Sequence, residues 1–228
     1  MNAILMLALW AGMQLPRAGC SLNAAGELRV VQGVGGNLIS GAAERIGVRD
    51  AACSDNLALI GDGQEFLVIA GNDVVARRPK TGERTLLGIT RVSAGVWEPG
   101  WIHLWAHSRW TTLPVTGDWL AFSPGGDGVL AVVRDGDGAV LRRLDASGRV
   151  LEESPAGDSV RAAFVWPDRA MALVTGDGVV FRSGAREQKL PIEAESLAAM
   201  SDDWVEARGV GSYAIRRKGE RIEWFALP

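Results

Sequence analysis

From about residue 54 onward, short apolar runs of four to seven residues alternate with polar, glycine-bearing turns, and helical periodicity is almost absent. EFLVIAG-ND-VVARR-PKTGE-RTLLGI reads as three strands and two turns. GVLAVVR-DGDG-AVLRRL-DASG-RVLEE has the same form, with Asp135-Gly136-Asp137-Gly138 as an Asp-Gly hairpin signal. AMALV-TGDG-VVFR-SGARE-QKLPI and WVEAR-GVGS-YAIRR-KGE-RIEWFAL follow, and WIHLWA-HSR-WTTLPV fills the space between the first two. One further apolar stretch precedes each unit: NLALIGD, TRVSAGV, DWLAFSP, VRAAFVW and SLAAMSD.

These phrases give four strands per unit, recurring every 30 to 40 residues, with an Arg-bearing third strand at Arg77, Arg142, Arg182 and Arg216. A strand-only repeat of this length predicts an all-β β-propeller of five or six short four-stranded blades. Each blade has two apolar faces, so it must stack on its neighbours, and ring closure removes the exposed ends. The segment from Gly26 to Gly41 supplies either a sixth, irregular blade or the strand that closes the last one. Glycine-rich turns exclude a helical solenoid; a β-sandwich is the alternative fold. The repeated Arg pairs read as charged guards of exposed sheet edges.

Composition adds little chemistry. The chain has 228 residues, a net charge of −3 and a pI near 5.5, which leaves no electrostatic footprint for nucleic acid. Its 29 glycines fit many turns, and nine tryptophans stand against a single tyrosine. The units, and the ending SDDWVEARGVGSYAIRRKGERIEWFALP, resemble those of uncharacterised exported bacterial β-propeller-like repeat proteins. That resemblance implies a fold and an exported location and carries no site residues.

The first residues read as a leader. Ala3 to Met13 is an apolar run of signal-peptide size, followed by Pro16 and the small pair Ala18-Gly19. The expected organisation is a signal peptide over 1–19 and one propeller domain over 20–228, with 20–54 as its closing segment. The location is then secreted or periplasmic. A membrane is met only through an uncleaved leader or through acylation of Cys20. Cys20 and Cys53 are the only cysteines, and an exported chain favours a disulfide between them. Two free buried thiols are the alternative.

Five tryptophans lie between Trp97 and Trp119, together with both histidines of the chain. If Trp101 to Ala106 is a strand, Trp101, His103 and Trp105 share a face. Trp97, Trp101, His103, Trp105 and Trp110 are therefore the candidate ligand-binding residues, as a stacking platform for a carbohydrate or small ligand. The competing reading makes them wedges between blades. His103 and His107 are too far apart along a strand, about 13 Å, to share a metal. The Asp-Gly turns lack the third acid and the distant Glu of a calcium loop. No nucleophile elbow, Walker loop or catalytic set is present, and no cofactor is expected. The function expected is a protein-binding module with an unknown partner in the envelope or outside the cell. The alternatives are carbohydrate or small-ligand binding through residues 97–119, and a lactonase-like propeller hydrolase with acids lining its channel.

Overall fold

The computed structural model describes residues 17–34, 37–125 and 127–227. Most of the predicted leader, including its apolar run, lies outside the described residues. All regular structure described is strand, and no described helix is long and apolar enough to cross a membrane. Twenty-three strands form six antiparallel sheets, each built from strands consecutive in the chain. Blade one is β1 (Arg17–Leu22), β2 (Leu28–Val34) and β3 (Asn37–Arg45). Blade two is β4 (Asp50–Cys53), β5 (Leu57–Gly61), β6 (Glu65–Ala70) and β7 (Asp73–Pro79). Blade three is β8 (Leu86–Ile89), β9 (Ser93–Glu98), β10 (Trp101–Ala106) and β11 (Arg109–Pro114). Blade four is β12 (Trp119–Gly125), β13 (Gly128–Asp135), β14 (Gly138–Asp145) and β15 (Val150–Asp158). Blade five is β16 (Ala162–Val165), β17 (Met171–Thr175), β18 (Gly178–Ser183) and β19 (Arg186–Leu190). Blade six is β20 (Ser196–Ala199), β21 (Trp204–Arg208), β22 (Ser212–Lys218) and β23 (Arg221–Ala226).

The fold is a β-propeller, and the sandwich alternative falls, because the sheets stack side by side around an axis. An apolar cluster fills each of the six spaces between neighbouring blades. Val132, Leu141, Val165 and Leu173 join blades four and five, for example, while Val31, Leu38, Met200 and Ala214 join blades one and six. Burial falls outward within a blade: β9 is buried throughout, whereas β15 exposes its first six residues. Each fully buried Leu, Ile, Val or Phe contributes roughly 1.5–3 kcal/mol, so packing between blades dominates the stability.

Among the described residues blade one has three strands. The innermost strands β4, β8, β12, β16 and β20 form a ring in which β20 meets β4 directly. β1 stands where the other blades have their second strand. Its amide at Cys20 donates to Met200 O at 3.0 Å, and a Cβ on Gly19 (φ +142) would fall 2.2 Å from that same oxygen. Cys20 and Cys53 form a disulfide with Cα atoms 6.1 Å apart, which fastens β1 to β4.

Two expected boundaries shift. The predicted closing segment 20–54 contains blade one and also β4, and residues 17–19 of the predicted leader lie in β1. In the first two visible units the phase is off by one strand, so Arg77 sits on the outermost strand β7, not on a third strand. The cause is β4, Asp-Ala-Ala-Cys, whose residues have little intrinsic preference for a strand. Arg142, Arg182 and Arg216 do lie on third strands, β14, β18 and β22. There the repeated phrase has a simple basis: the register sets each Arg opposite a Glu of the outer strand, Glu153, Glu187 and Glu223. Arg142 pairs with Glu153 at 2.5 Å and Arg182 with Glu187 at 2.9 Å. Such partly exposed pairs contribute about 0.2–1 kcal/mol each and chiefly fix register.

Candidate functional site

Blade three splits the aromatic candidates between its two faces. Trp97 on β9 is paired in register with Ile102 and faces blade four, where it stacks on Trp119 with ring centroids 6.3 Å apart. Trp105 and Trp110 are cross-strand partners on the other face and pack against Leu59, Phe66 and Val68 of blade two. Trp101, on that same face of β10, is half exposed, at 50%. The structure therefore brings Trp105, Trp110 and His103 together, leaves Trp101 at the solvent edge and puts Trp97 elsewhere. The buried tryptophans fill the spaces between blades. Trp119 donates its indole N–H to Thr116 O at 3.0 Å, while the indole nitrogens of Trp97, Trp105 and Trp110 have no hydrogen-bond partner among the described residues.

His103 belongs to a buried polar cluster. Its Nε2 lies 3.2 Å from Glu98 Oε2 and 3.1 Å from Arg78 Nη2, and its Nδ1 is 2.9 Å from Thr112 Oγ1. Glu98 also accepts from the Thr81 hydroxyl, from Thr81 N at 3.0 Å and from Gly82 N at 2.7 Å. Burial is the largest single influence on the Glu98 carboxyl and works to raise its pKa. The hydrogen bonds from Thr81 and Gly82, with the charge of His103, together outweigh it and hold the group below the ordinary carboxylate value. Burial, followed by repulsion from Arg78, pushes the His103 imidazole below its ordinary value. Both side chains are only 5% exposed, and the cluster clasps the crossover from blade two to blade three. The signal for it was an acid closing an apolar strand, Val-Trp-Glu before Pro99-Gly100, and sequence reasoning passed over it.

The open site lies elsewhere. Over blade one, whose described strands are β1, β2 and β3, a cleft of about 970 Å³ opens between blades one, two and six. Its walls are the Asn23–Gly26 turn, the Gly47–Arg49 crossover, Asp62 and the end of β21. Arg29, Arg49, Asp62, Glu206 and Arg208 are its charged groups. Glu206 is buried and satisfied: Ser21 Oγ donates to it at 2.9 Å and Arg208 Nη2 at 2.6 Å. Arg29 is held by Glu27 at 2.7 Å. Arg49 lies across the β5–β6 turn, where Gly63 (φ +100) makes room: a Cβ there would fall 2.8 Å from Arg49 Nε.

Arg49 and Arg208 also line the central channel, a space of about 230 Å³ walled mainly by Leu86, Leu87, Leu120, Phe164 and Leu197 with several alanines. Among the described lining residues Asp50 is the one acid. Among the described residues no three His, Cys, Asp or Glu side chains are grouped to hold a metal. The row of channel acids expected for a lactonase-like hydrolase is therefore not formed by the described residues. On the opposite face, Arg91 of the β8–β9 turn binds Asp55 of blade two and Asp202 of blade six, so one side chain ties three blades together.

No family model matches the chain, and no curated protein matches it. Among solved structures it is similar to Kluyveromyces lactis Hsv2p, with a TM-score of 0.48 and 12% identity over 91% of this chain and 80% of that one. It is also similar to apo AztD from Citrobacter koseri, with a TM-score of 0.48 and 14% identity over 93% of this chain and 71% of that one. These are likenesses of fold.

Proposed function

We propose that the protein is an exported propeller that binds another protein on the face bearing the blade-one cleft. The observation that carries this reading is the pairing of an open cleft with exposed apolar side chains on its rim. Ile46, beside Gly47, is 79% exposed, and Val210, beside Gly209, is 93% exposed. Apolar side chains held in water beside a concavity are what a docking partner covers. The buried disulfide supports an oxidising compartment, in keeping with export.

The test is retention of a partner from an envelope extract of the source organism on the immobilised chain. One species is expected to be held equally by the wild type and by Val75→Glu, on the outer strand β7, and lost with the double change Ile46→Glu and Val210→Glu. Equal retention by all three proteins, or no retained species, overturns the proposal.

A further inference from the structure

We infer that Arg49 and Arg208 form a recognition point for a carboxylate carried by the docking partner, next to an apolar side chain of that partner. The inference rests on the docking reading above and names what the cleft selects. Among the described residues Arg49 has no ion-pair partner, although it lines a cleft that holds two carboxylates. Those carboxylates are occupied. Asp62 Oδ1 accepts from Gln64 N at 2.9 Å and Glu65 N at 3.0 Å, and Glu206 is taken by Ser21 and Arg208.

Arg208 is itself only partly used. One Nη binds Glu206, while its Nε is buried with no partner. An arginine presents its donors in a planar fork that matches a carboxylate with two parallel hydrogen bonds. The charges nearby limit what can enter. Glu27, Asp62 and Glu206 balance Arg29, Arg49 and Arg208 in charge, so the cleft offers one guanidinium without an ion-pair partner and no net positive field, which suits a single carboxylate better than a dianion. The rest of the wall mixes the small polar side chains of Ser21, Asn23, Ser40 and Ser212 with Leu22, Val48 and Leu227, and Ile46 and Val210 stand on the rim. A carboxylate with a neighbouring aliphatic group, as in an acidic or C-terminal peptide segment, fits both halves.

The probe is N-acetyl-leucine, which carries one carboxylate and one aliphatic side chain, with N-acetyl-leucinamide and inorganic phosphate as comparisons. The readout is the Nε–H resonances of Arg49 and Arg208 in the ¹⁵N-labelled protein. N-acetyl-leucine is expected to shift both signals saturably in the millimolar range, and the amide to bind at least about tenfold more weakly. Arg49→Gln, with its fold checked by circular dichroism, is expected to abolish the response at Arg208. Three outcomes overturn the inference: no shift up to about 50 mM acid, equal binding of the amide, or tighter binding of phosphate. If the acid fails while the Ile46/Val210 variant still loses its partner, the carboxylate reading falls and the docking face stands. If the acid binds while retention ignores that variant, the docking face falls instead.

Discussion

His103 Nε2 lies 3.2 Å from Glu98 Oε2 inside the interface between blades two and three, with Arg78 Nη2 on the same nitrogen at 3.1 Å. That nitrogen cannot serve both neighbours in one protonation state: it must carry a hydrogen to donate to Glu98 and be bare to accept from Arg78. The site is therefore poised between two hydrogen-bond patterns. Burial and the Arg78 charge favour the neutral ring, while Glu98 favours the charged one.

The pH dependence follows. His103 has a folded pKa below its ordinary 6.5, so as pH falls past that value the unfolded chain takes up a proton that the folded chain resists. The folded state loses stability from there down to the folded pKa. Glu98, depressed below 4.5, adds stability above that value and loses it as pH falls through its own folded pKa. The melting temperature of the wild type is expected to fall between about pH 7 and about pH 5. His103→Gln is expected to fall less over the same range, as calorimetry of the pair would reveal; parallel curves would refute the assignment.

The Cys20–Cys53 bond closes a span of 33 residues and adds a second covalent link, beside the chain itself, between blade one and its neighbour. Replacing both cysteines by serine is expected to cost about 3–4 kcal/mol, read from the urea midpoint at unchanged slope. Blade one should loosen first, so its amides are expected to lose hydrogen-exchange protection before those of blade four.

Two tryptophans four residues apart are expected to behave in opposite ways. Trp105→Ala opens a cavity between blades two and three and should destabilise by about 3–5 kcal/mol. Trp101→Ala, at a half-exposed position, should stay within about 0.5 kcal/mol of the wild type. Denaturant curves of both variants give the comparison. A large loss for Trp101→Ala would mean that this ring packs in a way its exposure does not convey.

The turns and apolar runs made the propeller legible, because most hairpins carry a glycine-bearing turn and three of them set Arg opposite Glu. Blades four to six were readable strand by strand for that reason. Blade two was not, since Asp50–Cys53 carries two alanines and a cysteine and becomes a strand only by burial against β5. The cleft was illegible for a different reason. Its cations come from the crossover after blade one and from the end of β21, 159 positions apart by residue number, and only ring closure brings Arg49 and Arg208 to one cleft. Glu98 and Arg78 were hidden in the same way, each ordinary in its own strand and meaningful only across the blade interface.

Every ladder among the described residues joins strands adjacent in the chain, and none of the described sheets mixes strands from distant parts of the sequence. Each sheet can therefore zip from its own hairpins without waiting for the remote chain, which is a route of low contact order. The slow search is confined to one seam, where Cys20 must find Met200 and β4 must find β20. The order of events is then local first and circular last. The seam that forms last is also the one over which the cleft opens, so a partner seated there would hold shut the joint most ready to come apart.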